Sequence, residues 1–464
     1  MIKKTVLLLL LTVPFIQLLA QEDGQNEDAR FIRQIYDTAL TQGKAYDWLD
    51  YLSTQIGGRL SGSPEAALAV EYTRQVMDTL GLDSVWLQPC KVPHWLRGDK
   101  ERVRIINSES VGMLELPALA LGNSIATPIA GIRAEVIEVR SLDEVEQLGQ
   151  AQIEGKIVFY NRPMNPRQIR TFNAYGGAVD QRVNGASQAA QFGAVATLVR
   201  SMTTRSDDVP HTGVMVNKEG VKKIPAVAIS TNAADQLSDL LKKEKVEVEI
   251  YTYCKMLPEA SSFNVIGEIR GSVYPDEIIL VGGHLDSWDV GGGAHDDGAG
   301  CTHAMDVLQV LRRLNYRPQR TLRCVLFMNE ENGLAGALEY AAVSNARKEY
   351  HLAAIESDAG GFTPRGFSCD GAVEIFNERY KKVLDWLPLL EPYGLYFNKG
   401  GSGADISPLK SQQGMLFGFR PDSQRYFDYH HTAIDNIQAV NRRELQLGVG
   451  AIASLLYLID KHGL

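Results

Sequence analysis

From Phe263 onward, continuous apolar runs alternate with stretches of helical periodicity, and this alternation constrains the fold more than any other feature of the chain. The runs EIILVGG, TLRCVLFM, HLAAIES and GMLFGF are too uniformly apolar for a sheet with one wet face. Between and after them, the stretches 299–314, 333–347, 373–387 and 443–462 repeat apolar residues at helical spacing. Strands buried on both faces and separated by helices pair in parallel, with helices above and below. The expectation is an α/β protein built on a mainly parallel sheet sandwiched by helices.

At 464 residues the chain exceeds what one hydrophobic core usually serves, so two domains, or one domain with a large insertion, are expected. Residues 30–90 read as helical, with the loop IGGRLSGSP at 56–64 and an amphipathic stretch at 65–80 that Gly81 stops. From about 125 to 252 the texture changes to short β-branched runs, AEVIEV, GKIVFY, AVATLV, IPAVAIS and VEVEIY, with a helix around 186–192. No low-complexity linker flanks this region, which predicts a small β-rich domain inserted at 122–256 and packed against its host. The host is then formed by 21–121 and 257–464. No solenoid-type repeat is present.

Residues 1–20 carry a different signal. Lys3 and Lys4 precede an apolar run from Val6 to Ala20, too short and too interrupted by Thr12, Pro14 and Gln17 for a stable membrane span, and a polar stretch follows. This predicts an exported protein whose signal peptide is cleaved near Ala20. The net charge of -9, with no Lys/Arg tract, lacks the electrostatic footprint of a nucleic-acid binder. Cys90, Cys254, Cys301, Cys324 and Cys369 have no CxxC spacing, so they suggest neither a thiolate zinc site nor a disulfide framework and read as small buried apolar residues.

In an open α/β sheet, functional groups collect beyond the carboxyl ends of the strands. Four such ends carry metal-type side chains. GGHLDSWDVGGGAHDDGAG places His284 and Asp286 after a strand and Asp296 and Asp297 before a helix; FMNEENG places Glu330 and Glu331; IESDAGG places Asp358; YHHTAID places His430 and His431 in a polar loop. Each alone fits a helix cap, a solvated carboxylate or a hydrogen-bonded histidine. Together, two imidazoles and three or more carboxylates form a donor set that zinc accepts, and that manganese or cobalt also fits. A carboxylate beside a ligand but free of the metal is the base that metal-assisted hydrolysis requires.

These motifs, with NEENGLAGALEYA, resemble the co-catalytic zinc aminopeptidase and glutamate carboxypeptidase superfamily, most closely its carboxypeptidase Q-like branch. WLRGDK, PHTG at 210–213, KIPAVAIS and GGSGADI extend the resemblance over nearly the whole chain beyond residue 20, and the insertion resembles a protease-associated domain. The resemblance implies a zinc exopeptidase fold with a mixed sheet and two Zn2+ per chain. Asp296 is then the bridging carboxylate, with His284 and Asp358 completing one site and Glu331 and His431 the other. Glu330 becomes the general base, and Asp286 the acid that orients His284. A cis peptide is implied between Asp296 and Asp297, which leaves Asp297 without a catalytic role. The spacing of His431, Thr432 and Asp435 favours His431 as the ligand, with His430 as the fallback. Dipeptides or short peptides are the implied substrates, and a homodimer the implied assembly.

The remaining candidates are read from the residues. Tyr426 and Tyr429 in YFDYHH are hydroxyl donors to an oxyanion or, equally, packing aromatics. Asp405 in GGSGADI reads as a contact for the substrate terminus or as a helix N-cap. His295 reads as an exposed loop residue, and His211 as a turn residue with reach toward the site as the alternative. Other readings stay open: an aminopeptidase of the same family, a one-zinc glutaminyl cyclase-like acyltransferase, or a non-catalytic receptor-like protein. The complete ligand set counts against the last two.

Overall fold

In the computed structural model, residues 26–464 are described. The expected signal peptide lies outside the described residues, and no described helix is long and apolar enough to cross a membrane. Eight strands form the central sheet, in the order Ser84–Leu96, Lys255–Ile269, Arg320–Phe327, Tyr274–His284, Tyr350–Glu356, Met415–Pro421, Pro364–Gly371, Tyr396–Lys399. The four apolar runs of the sequence are its centre, and they pair in parallel. Antiparallel neighbours flank them on both sides, so the sheet is mixed around a parallel core.

Alternate residues of these central strands enter two different cores, which is why the runs are apolar throughout. Ile279, Val281, Cys324, Leu326, Ala353 and Ile355 pack with helices Ala299–Arg313 and Arg442–His462. Leu280, Val325, Phe327 and Ala354 face the other way, toward helix Ala335–Ala346. The five cysteines are all free and buried.

The N-terminal region departs from expectation in one place. Helices cover 26–42, Ala45–Tyr51 and Pro64–Asp78, the last capped by Ser63 and opened by Pro64, but Ser84–Leu96 is a strand rather than helix. Its prolines Pro89 and Pro93 are tolerated because it is the edge of the sheet. It pairs with Lys255–Ile269 from Ser84↔Glu268 to Leu96↔Lys255, forming a ribbon that leads the chain out of the central sheet and back.

The second sheet therefore begins before residue 122. Its order is Gly112–Glu115, Arg102–Ser108, Glu247–Tyr251, Ile132–Val139, Ile157–Tyr160, Ala196–Arg200, Ala226–Ile229, Ala118–Ala120. The strands at 102–120, expected in the host, pair here instead: Arg102↔Tyr251 and Ala118↔Ile229 set the registers. Pairing partners distant in sequence decide where a domain starts, and composition does not reveal them. All five β-branched runs read from the sequence are strands of this sheet.

Candidate metal centre

The carboxyl ends of the three central strands Tyr274–His284, Arg320–Phe327 and Tyr350–Glu356 converge with the turn at 294–298 and the loop after Tyr429. Asp296 is at the middle. One of its oxygens, Oδ1, lies 3.3 Å from His284 Nε2, and the other, Oδ2, lies 3.2 Å from His431 Nε2. Each imidazole reaches a second carboxylate: His284 Nε2 is 3.7 Å from Asp358 Oδ1, and His431 Nε2 is 3.1 Å from Glu331 Oε2. The peptide between Asp296 and Asp297 is cis.

These separations test whether metal ions fit. Zinc bonds of about 2.0–2.1 Å at the tetrahedral angle set neighbouring ligand atoms roughly 3.3 Å apart, the spacing found on both sides of Asp296. Charge agrees. Asp286, Asp296, Asp297, Glu331, Glu356, Asp405 and Asp435 are all buried around the centre, an excess of acid that divalent cations would balance. Asp296 Oδ2 is buried with no hydrogen-bond partner, as an atom reserved for a cation would be.

The protein's own groups respond to this crowding. Burial would lower the His284 imidazole, but the carboxylates of Asp296 and Asp358 outweigh it and hold the group well above its ordinary value. Burial likewise opposes His431, yet Glu331 and Asp296 raise it to about 9. Asp296 is held well below the usual range because its histidines overcome its burial. Glu331 is pushed up to about 7 by burial and by Asp296. Glu330 is raised well above its ordinary value by burial and by the Asp358 and Glu331 carboxylates, although the residue is only half-buried.

Two neighbours complicate the ligand set. Asp297 converges with His284 and Asp358, and His430 converges with His431 and Asp296. Asp297 already accepts the N–H groups of His284 and Gly300, at 3.0 Å each. His430 Nε2 is 3.7 Å from Asp296, while His431 alone also meets Glu331.

Asp286 acts differently from the expected orienting acid. His284 Nδ1 meets the Asp286 backbone carbonyl at 3.0 Å, whereas the Asp286 carboxylate is 3.9 Å away. That carboxylate instead accepts the N–H groups of Asn329, Glu330 and Glu331, so it clamps the turn that presents both glutamates. An HxD spacing cannot distinguish these roles, because carbonyl and carboxylate of one residue are both within reach of the ring.

The other candidates separate. Tyr426 is buried, and burial together with the Asp296 and Asp358 carboxylates holds its hydroxyl well above its ordinary value, so it stays protonated. Tyr429 packs beside His295 and Phe362. Asp405 caps no helix, since the following 3-10 turn Ser407–Gln412 starts after Ile406; both its oxygens are buried and unpaired beside Glu356. His295 is fully buried rather than exposed, stacked on Phe362 at 4.0 Å and accepting the Gly361 N–H. Hydrophobic neighbours from another strand end, invisible in the motif, cover it.

Three supports hold the centre from outside the ligand set. Arg59, in the loop read only as IGGRLSGSP, is fully buried and donates to the carbonyls of Leu285, Gly292 and Gly293, stapling the loop between His284 and Asp296. Asp435 accepts the N–H groups of His295 and Asp296 and orients the central carboxylate's backbone. From the loop between strands Ala196–Arg200 and Ala226–Ile229, His211 Nδ1 meets the His430 carbonyl at 2.8 Å, and the Thr212 N–H donates to the His431 carbonyl at 3.0 Å. The sequence signalled Asp435 through its spacing from His431 and His211 through its reach toward the site, whereas Arg59 carried no signal beyond a basic residue in a glycine-rich loop.

The profile of peptidase family M28 matches residues 264–455, the C-terminal stretch that carries the centre. Carboxypeptidase Q of Bos taurus is 35% identical over 422 residues, covering 90% of this chain and 85% of the relative. The crystal structure of a peptidase M28 precursor from Shewanella amazonensis superposes with a TM-score of 0.88 at 33% identity, covering 94% of this chain and 97% of that one. A zinc aminopeptidase from Bacillus subtilis, at 20% identity and a TM-score of 0.62 over 89% of this chain and 94% of its own, shares the fold.

Proposed function

The chain belongs to peptidase family M28 and is a metallo-exopeptidase, and from that premise we propose that it is an exported two-zinc enzyme hydrolysing dipeptides or short peptides. The observation that carries this reading is Asp296, set with one oxygen toward His284 and the other toward His431. Asp296 is then shared by both ions, with His284 and Asp358 on one side and Glu331 and His431 on the other. Zinc bound there supplies Lewis acidity, polarising the scissile carbonyl and acidifying water.

The chain's own residues do the rest. Glu330, beside Glu331 and only half-buried, accepts the proton of the attacking water and returns it to the leaving amine. Tyr426 offers its hydroxyl to the oxygen on which charge develops. Asp286 and Asp435 hold the main chain of the Glu330–Glu331 turn and of Asp296, so these groups need not reorganise as the reaction proceeds. The second sheet is a protease-associated module in this reading, and the active protein is a homodimer; a monodisperse monomer at working concentration would count against the dimer.

The test is zinc content together with dipeptide hydrolysis, for the wild-type chain and for Glu330→Gln. Two zinc ions in both proteins, with kcat lowered about 10²–10⁴-fold only in the variant, is the expected result. One ion with cyclisation of an N-terminal glutamine, or no metal at all, would overturn it.

A further inference from the structure

One aromatic residue touches both the metal centre and the second sheet. Trp288 lies in the loop between His284 and Asp296 and is 2% exposed. Its backbone N–H donates to Glu331 Oε1 at 3.2 Å, while Glu331 Oε2 is the atom that meets His431. Its indole lies 5.6 Å from the His431 imidazole, inclined at 61°. Together with Asp296 these groups line a cavity of only about 10 Å³, so the ring has little slack against them. No hydrogen bond or ring contact among the described residues joins Trp288 to Asp358 or to the His284 ring.

The far end of the ring is seated by the second sheet. Gly122, which follows strand Ala118–Ala120, lies so close that an added Cβ would collide with Trp288 Cη2 and Cζ3. Gly122 does not take a left-handed φ, so it is the indole, not the backbone, that requires a glycine there. The Gly122 N–H donates to the Gly213 carbonyl at 2.9 Å, and its carbonyl accepts the Met215 N–H at 3.0 Å. Thr212, next to Gly213, is the residue whose N–H holds the His431 carbonyl. One patch of the second module therefore seats the indole tip and grips the His431 main chain. Trp95 packs edge-on against Trp288 at 6.3 Å, and the Trp288 Nε1 has no hydrogen-bond partner among the described residues, so shape alone orients the ring.

The terminal torsion of a glutamate is soft, and nothing within the side chain decides which oxygen faces a neighbour. Holding Oε1 on a main-chain N–H leaves Oε2 turned to His431. Partners of this kind, outside the ligand set, orient ligands and tune metal affinity. The indole is rigid, so a displacement at Cη2 is felt at the imidazole and at the main chain that carries the N–H.

We propose that Trp288 is a positioning residue for the Glu331–His431 pair and couples the seating of the second sheet to the affinity of the zinc ion held there. This rests on the two-zinc reading above and adds a route by which the second module acts on one ion and not the other.

The experiment is a double-mutant cycle read by competing-chelator titration of zinc. Gly122→Ala touches none of the ligands but pushes on the indole tip; it weakens one zinc ion about 10–100-fold and leaves the other within about twofold. Trp288→Phe keeps the N–H to Glu331 but shortens the ring, and weakens the same ion about 3–10-fold. The double variant binds zinc no worse than Trp288→Phe alone, because the added methyl then has nothing to push. Additive losses, equal weakening of both ions, or no loss in either single variant would overturn the proposal. If Gly122→Ala alone does not fold, Trp288→Phe decides, by a loss confined to one ion or by none. Metal-free crystal structures give a second readout: in Gly122→Ala, Glu331 leaves the Trp288 N–H while His284 and Asp296 keep their 3.3 Å spacing, and the double variant restores the contact. An unmoved Glu331 overturns the proposal. If the wild type binds fewer than two zinc ions, the two-zinc reading fails instead, and these structures still decide the role of Trp288.

Discussion

His284 and His431 approach the same carboxylate from opposite sides, and they are held there by different kinds of structure. His284 ends a parallel strand that is buried from Ile278 onward, and its Nδ1 is fixed by a carbonyl two residues on. His431 sits in a loop with φ 62°, a left-handed conformation that a non-glycine residue adopts at a penalty of about 1–3 kcal/mol, and its Nδ1 has no partner. What steadies it comes from the other sheet: the 211–212 backbone and side chain hold the carbonyls on both sides of the His430–His431 peptide bond. A strand end positions a ligand by being part of the core, whereas a strained loop positions one only while something outside it holds the strain.

The largest effect should come from the group both halves share. Asp296→Ala is expected to bring zinc content from two toward zero and hydrolysis to background, and retention of one full equivalent would show that the two sides do not depend on a common bridge. Next is the anchor between the sheets. Arg97, at the end of the ribbon, pairs with Asp289 of the His284 loop at 2.7 Å and with buried Glu101 at 3.0 Å, and donates to the Ala120 carbonyl. Arg97→Met strands Glu101 and should destabilise the protein by about 3–5 kcal/mol in denaturant unfolding.

The sharpest break concerns His211. Replacing it with Ala should weaken one of the two zinc ions about 10–100-fold in a competing-chelator titration and leave the other unchanged. Equal weakening of both would mean that the second sheet supports the whole centre rather than the His431 side. The smallest effect is a control on histidines away from the metals. Burial lowers His303 and His351 to about 4, so both are neutral in the fold while the unfolded chain is protonated below about 6.5. Their stabilisation is present above pH 6.5 and is lost as pH falls toward 4. In urea titrations, His351→Gln should flatten that decline without altering zinc content.

Much of the centre was legible in the chain because strand ends announce themselves. An apolar run that stops at HLD, NEE or ESD says both where the strand ends and what stands there, so the convergence of His284, Glu331 and Asp358 follows from parallel pairing alone. The ribbon Ser84–Leu96 was not legible, since its prolines argue against a strand until its edge position is known. The true start of the second sheet was hidden for a related reason: RVRIINS is a strand because Glu247–Tyr251 lies beside it, far along the chain.

By itself, then, the sequence determined the parallel core and which side chains gather at its strand ends, because both depend on local patterns: burial on two faces writes continuous apolar runs, and the acids and histidines stand directly after them. Only the tertiary structure decided the roles that depend on contact between distant segments. These include the turn-clamping carboxylate of Asp286, the burial of His295, the grip of residues 211–212 on the His431 loop, and the seat of Trp288 between Gly122 and His431. A hydrogen bond or a packing contact is a relation between two places in the chain, and no single stretch of sequence contains it.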